Sequence, residues 1–184
     1  GSNDTIIDSN DVTNDNNGVY SISSNNTQLT NNTINLNKKF YGYYSYNSGN
    51  ATIYNNTMYN NYHGIYFVGS DEGNISSNDI FITDVYSLFL HSGSDSSIIR
   101  DNTIRTGKHG IYSKSNSSSN TIINNSVRDH SSTGLYFNNI DNPSIESNTV
   151  ANNSQNVLVY STSGSILSHN VIANASTGLN INNS

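Results

Sequence analysis

Apart from tyrosine, the titratable chemistry of this 184-residue chain rests on five histidines, 13 acidic and 7 basic side chains. His63, Tyr86 and His109 recur at one constant interval, with Asp84, His91 and Lys108 close by in sequence. An imidazole beside a carboxylate can act as a general acid or base near neutral pH. Arg105 and Arg128 are separated by that same interval. Like charges brought side by side need a partner, for which Asp101, Asp129 or a ligand anion would serve. Asp4, Asp8, Asp11 and Asp15 crowd one end, but their spacing fits neither the EF-hand nor the Gly-rich calcium repeat. They read as a solvated edge. The absence of cysteine excludes disulfides and thiolate zinc sites. No metal site and no cofactor are expected, and stacked polar turn residues explain the His63/Tyr86/His109 group more simply than catalysis does.

Equal intervals between unrelated residues point to a repeat, which must be sought before any local reading. One pattern runs along the whole chain: apolar, two variable residues, Asn, one variable residue, apolar. Its copies carry Asn10, Asn32, Asn56, Asn78, Asn102, Asn125, Asn148 and Asn170, so that successive copies follow at nearly equal steps. Each copy is followed by Gly-apolar-aromatic or a degenerate form of it, as in Gly18-Val19-Tyr20, Gly64-Ile65-Tyr66, Gly110-Ile111-Tyr112 and Gly134-Leu135-Tyr136.

Each unit therefore predicts three short strands separated by turns, stacked unit upon unit around one shared core. Strand alternation sends Val19/Ser21, Ile65/Phe67, Leu88/Leu90, Leu135/Phe137, Val157/Val159 and Leu179/Ile181 inward. The repeated Asn suits a corner that needs positive φ, and in register its amides form a hydrogen-bonded ladder. His63 and His109, two rungs apart, would stand roughly 9–10 Å from each other, too far to share a metal.

The outward positions of the third strand carry Tyr20, Tyr44, Tyr66, Phe89, Tyr112 and Tyr136. Two residues further on come Tyr46, His91, Lys114 and Tyr160, among others. An exposed aromatic stripe of this kind suits the apolar faces of sugar rings or a protein partner. Rung-to-rung stacking that merely stabilises the strands is the simpler alternative. Tyr20, Tyr44, Tyr46, Tyr66, Phe89, His91, Tyr112, Tyr136 and Tyr160 are thus the candidate ligand-binding residues. Thr33, Thr57, Thr103 and Thr149 follow the ladder Asn, but Asp79, Ser126 and Val171 interrupt the row that ice binding would require.

Composition narrows the classes. Only 33% of the residues are hydrophobic, against about 45–50% in an average soluble domain, which a narrow solenoid with few inward side chains per coil explains. A net charge of −6 leaves no basic footprint for nucleic acid. No apolar run is long enough for membrane insertion, and no signal peptide opens the chain. Gly1-Ser2 reads as a cloning remnant, and 3–184 as one repeat domain.

Units such as Asn120-Thr121-Ile122 through Asn125 followed by Gly134-Leu135-Tyr136-Phe137 resemble right-handed parallel β-helix repeats. Such repeats occur in pectate-lyase-like proteins, in the β-helix protein of nitrous-oxide reductase maturation and in adhesin-like surface proteins of methanogenic archaea. The resemblance covers nearly all of residues 4–184 and implies an all-β, single-stranded parallel β-helix of about eight coils. The Asn- and Ser-rich style is most similar to the archaeal adhesin-like proteins. That implies a non-catalytic extracellular or cell-surface domain that contacts carbohydrate or a surface partner. The alternatives are a carbohydrate-active β-helix enzyme and a purely structural stalk. Relatives that are enzymes use clustered Asp or paired carboxylates, whereas the outward third-strand positions here hold no Asp or Glu. The family's N-terminal capping helix is missing, so a piece of a longer array is expected.

Overall fold

The computed structural model describes residues 1–13, 16–35 and 39–182, so Asp15 of the acidic cluster lies outside the described residues. Among the described residues every regular element is a β-strand. The first strands of the coils are Ile6–Asp8, Gln28–Thr30, Thr52–Tyr54, Asn74–Ser76, Ile98–Arg100, Thr121–Ile123, Ser144–Glu146 and Ile166–Ser168. They form one eight-stranded parallel sheet in chain order, so the chain rises one rung per repeat. Ile7, Leu29, Ile53, Ile75, Ile99, Ile122, Ile145 and Leu167 lie in register over one another.

The second and third strands share the other sheet. They merge because Asp79–His91 and Thr103–Lys114 each run round the second corner as one strand. Between these two rungs the register moves from Thr83↔Gly107 to Tyr86↔His109, so Asp84 and Val85 stand opposite Lys108 alone. The extra residue forms a bulge, which lets a longer unit lie over a shorter one without losing register on either side.

The core is a stack of side-chain columns. Ile34, Met58, Ile80, Ile104, Val127 and Val150 come from the second strands, and Tyr43, Ile65, Leu88, Ile111, Leu135 and Val157 from the third, all essentially inaccessible. Leu179 and Ile181, expected inward, are 46% and 55% exposed because their rung is covered on one side only.

The asparagine ladder is continuous. Each amide Nδ2 donates to Oδ1 of the next ladder residue, from Asn10→Asn32 at 3.1 Å through Asn78→Asn102 at 3.0 Å to Asn148→Asn170 at 3.0 Å. The same Oδ1 also accepts the backbone N–H of the rung before, as in Asn78 N→Asn102 Oδ1 at 2.9 Å. Positive φ falls one residue earlier than expected. Ser9, Asn31, Asn55, Ser77, Asp101, Asn124, Ser147 and His169 make the corner at φ 54 to 58°. The ladder Asn is therefore selected for its two-way amide, and its predecessor for the left-handed turn.

A second ladder is built from serine. The backbone N–H of Ser24, Ser48, Ser70 and Ser94 donates to Oγ of Ser48, Ser70, Ser94 and Ser117 respectively, at 3.0 to 3.2 Å.

The glycine that opens the third strand keeps the rungs close. A Cβ on Gly110 would sit 2.4 Å from Gly134 O and 2.6 Å from Val127 Cγ1. Gly110→Ala is expected to destabilise the protein by about 2 kcal/mol through forced backbone movement, read as a lowered denaturation midpoint. Gly93→Ala, where nothing lies within 4 Å but φ is +78°, should show only the smaller conformational cost.

Candidate functional site

The third strands bring the predicted aromatic residues together in register: Tyr20, Tyr44, Tyr66, Phe89, Tyr112 and Tyr136 occupy successive rungs. Their exposure is uneven. Tyr20, Tyr46 and Tyr160 are exposed, while Tyr44, Tyr66, Tyr112, Tyr136 and His91 are half-buried. Phe89, expected to be exposed, is buried at 2%. Tyr66 packs edge-on against it at 4.7 Å, Tyr86 stacks on it at 4.5 Å, and Lys114 Nζ lies over its ring at 5.4 Å.

A second aromatic column causes this burial. Tyr41, His63, Tyr86 and His109, the residues before the glycine position, stack at a constant 5.3 Å with planes 10 to 26° apart. Three of these are the group that sequence spacing marks for acid–base work. Tyr41 escapes that reading, although its position before Gly42 matches that of His63 before Gly64. The two columns interlock, with Tyr41–Tyr44, His63–Tyr66, Tyr86–Phe89 and His109–Tyr112 at 4.5 to 5.2 Å. Tyr20 and Tyr46 are the most exposed of the predicted ligand-binding residues; Tyr20 and Tyr44 stack at 4.7 Å, and the plane of Tyr46 is nearly parallel to that of Tyr44.

The electrostatics follow from packing. Burial alone lowers His63 to about 4, and its Nδ1 has no hydrogen-bond partner among the described residues. His109 is lowered by burial and then by Lys108. His91 is lowered by burial and then by Lys114. Asp84 is exposed, and no carboxylate contributes to the shift of His63 or His109. The imidazoles are thus packed as neutral rings and not coupled to Asp84. Burial also pushes Tyr66 up to about 12 and raises Tyr112, the latter helped by the adjacent Tyr136.

Arg105 and Arg128 occupy neighbouring rungs, but Arg105 has a partner other than those expected. It bonds Asp79 at 2.9 Å and covers the Phe81 ring at 4.1 Å, while Asp101 is taken by Arg100. Arg128 pairs with Asp129. Asp4 and Asp8 accept from the next rung, from Asn26 Nδ2 at 2.8 Å and Asn31 Nδ2 at 2.8 Å, and hydrogen bonds from Thr30 and then Asn31 lower Asp8.

One polar group escapes the sequence reading altogether. His130 is buried, its Nδ1 bonds Asn153 Oδ1 at 2.9 Å, and its Nε2 faces Ser87 Oγ at 3.4 Å, which in turn bonds Thr83 Oγ1 at 2.8 Å. Space for this network comes from Gly107, whose Cβ would lie 2.6 Å from Thr83 Oγ1. His130 and Asn153 are one repeat apart, the same interval that separates His63 from Tyr86, so the repeat itself carried the signal. Burial is the main cause that lowers His130, to about 4. A shallow open cleft lies over this corner, lined by Ile82, Thr106, Asp129 and Asn152.

The crystal structure of the periplasmic alginate epimerase AlgG superposes with a TM-score of 0.73 at 20% identity, over 88% of this chain and 47% of that one. The likeness is one of fold, and this chain spans about half of the AlgG structure. No curated protein matches in sequence. The family model of the right handed beta helix region matches residues 1–137 and 86–184. Together these matches reach every rung of the solenoid, and the chain belongs to the right-handed β-helix family.

Proposed function

We infer that this chain is a non-catalytic, adhesin-like β-helix domain working outside the cytoplasm, whose aromatic band is the contact surface for carbohydrate. The observation that carries this reading is the cluster Tyr20, Tyr44 and Tyr46. These three rings lie on two adjacent rungs at 4.7 and 6.4 Å between centroids, with Tyr20 and Tyr46 47% and 40% exposed. Aromatic rings with a hydroxyl handle suit the apolar face and polar rim of a pyranose. The stack beneath them, through Tyr41 and Tyr66, fixes their orientation before any ligand arrives, which limits the ordering cost of binding. The neutral His63 and His109, without a carboxylate partner, favour a binding surface over acid–base catalysis.

A carbohydrate-active enzyme is the second reading, favoured by the fold-level likeness to AlgG, which is described as an alginate epimerase. A glycan array that includes alginate separates the two, comparing the unaltered protein with a Tyr20→Ala/Tyr46→Ala variant. Both side chains are exposed, so the fold is expected to survive. Binding weakened about tenfold or more, with an unchanged circular dichroism spectrum, is the expected result. Equal binding by both proteins would remove this surface from consideration. Chemical conversion of alginate or another bound polysaccharide would establish the enzyme.

A further inference from the structure

Tyr112 and Tyr136 stand directly opposite each other on adjacent rungs. Their ring centroids are 4.0 Å apart with planes inclined by 10°. No other tyrosine pair among the described residues is both as close and as parallel. Tyr20–Tyr44 stands at 4.7 Å and 29°, Tyr41–Tyr44 at 4.6 Å and 40°, and the nearly parallel Tyr44–Tyr46 at 6.4 Å. Both residues are half-buried, so neither is sealed from solvent. The register of the strands holds them in place, and Asn138 Nδ2 donates to Tyr136 Oη at 2.8 Å. The chain contains no cysteine, no tryptophan and one methionine, against 13 tyrosines. That methionine, Met58, is fully buried. The thiol and thioether groups that ordinarily take up oxidising equivalents first are therefore absent or shielded, and tyrosine is the side chain left to oxidise.

We propose that Tyr112 and Tyr136 form an oxidative cross-linking site, at which a peroxidase-type oxidant with hydrogen peroxide joins the two rings as dityrosine and staples one rung to the next. Each phenol loses one electron and its hydroxyl proton, giving two phenoxyl radicals. The unpaired spin is shared with the ring carbons ortho to oxygen, and one Cε–Cε bond forms between the rings. The hydrogen on each bonded Cε then moves to oxygen through solvent, restoring both phenols. The two electrons and two protons released reduce one hydrogen peroxide to two waters, so the step is balanced. Tyr54 and Tyr62 are more exposed than this pair, but Tyr54 faces Thr30 and Ser76 across its neighbouring rungs. Proximity, not exposure, therefore selects the product. The staple would act as a disulfide does, by restricting the unfolded chain.

The test treats the whole chain at low concentration with a peroxidase and hydrogen peroxide, then isolates the monomer and maps its peptides by mass spectrometry. The expected product is a Tyr112–Tyr136 linked peptide pair lighter by two hydrogens, with dityrosine fluorescence. It should form in several-fold excess over any other intramolecular link, and the treated monomer should unfold at higher denaturant concentration. Tyr136→Phe, which retains the stacked ring, should abolish it, and Tyr160→Phe should leave it unchanged. The proposal is overturned by a map of the unaltered protein in which the Tyr112–Tyr136 link is absent or minor. Cross-links found only between molecules, or an undiminished yield in Tyr136→Phe, would overturn it equally.

Discussion

Asn102→Ala is expected to lower stability by about 3 kcal/mol or more, among the largest effects available to a single substitution in this chain. The Asn102 amide oxygen accepts the backbone N–H of Asn78 at 2.9 Å and Asn78 Nδ2 at 3.0 Å. Its Nδ2 donates to Ile75 O at 2.9 Å and to Asn125 Oδ1 at 2.9 Å. Alanine leaves the buried backbone N–H of Asn78 without its acceptor, at about 1–3 kcal/mol, and removes one hydrogen bond each from Ile75 O, from Asn78 Nδ2, which keeps Ile53 O and Ser76 O, and from Asn125 Oδ1, which keeps the backbone N–H of Asn102. It also breaks the ladder in the middle, where both neighbours, Asn78 and Asn125, are themselves buried. The informative comparison is Asn124→Ala in the next rung. Asn124 carries the left-handed φ of 55° but lies exposed at the corner, so alanine there costs only the conformational preference, about 1 kcal/mol. Denaturant midpoints of the two variants test the division of labour directly. Equal losses would mean that the ladder amide contributes no more than the turn.

That division also marks how far the sequence could be read. The period, the three strands per coil, the column of Asn10 through Asn170 and most inward residues were legible because stacking imposes each requirement anew in every repeat. The corner φ was misplaced by one residue, since Asn and its predecessor are both polar and pattern alone does not distinguish an amide ladder from a left-handed turn. The serine ladder was visible in principle. Ser24, Ser48, Ser70, Ser94 and Ser117 recur once per repeat, but serine crowds every turn of this chain and hides its own register. Phe89 shows a different limit. Alternation correctly turns it outward with Tyr66 and Tyr112, yet outward is not exposed when Tyr86 and Tyr66 close over it at 4.5 and 4.7 Å. Lateral packing between two columns on one face leaves no trace in a period-two pattern. The pairing of Arg105 with Asp79 was missed for a related reason, because it links residues on different rungs while the acids nearest in sequence lie at corners.

The protein is expected to lose stability steeply as the pH falls from 6.5 towards 4. His63 and His130 each have a folded-state value near 4 against an ordinary 6.5, with burial as the first cause. Above 6.5 both states hold neutral imidazoles and the stability is fully present. Between 6.5 and about 4 the unfolded chain takes up protons that the folded one refuses, so stability drops with each step down in pH. Below about 4 both states are charged and no further loss arises from these groups. Each histidine contributes up to about 3 kcal/mol over that window. The surroundings explain why the charge is refused. His63 is held between the Tyr41 and Tyr86 rings, with Tyr62 and Tyr66 at its sides and Nδ1 unpartnered among the described residues. His130 is enclosed by Thr83, Ser87, Gly107 and Asn153, and its desolvation there outweighs what Asn153 and Asp129 do to favour the charged ring. His63→Phe keeps a ring in the Tyr41–Tyr86 stack and removes one of the two titrations. It should therefore reduce the slope of stability against pH in this window by close to one proton, and leave the variant relatively more stable at the acid end than at neutrality. Denaturant midpoints measured across the window decide the matter: midpoints that do not change with pH, or a slope identical in His63→Phe, would show that the imidazoles are not held neutral by the packing of the band.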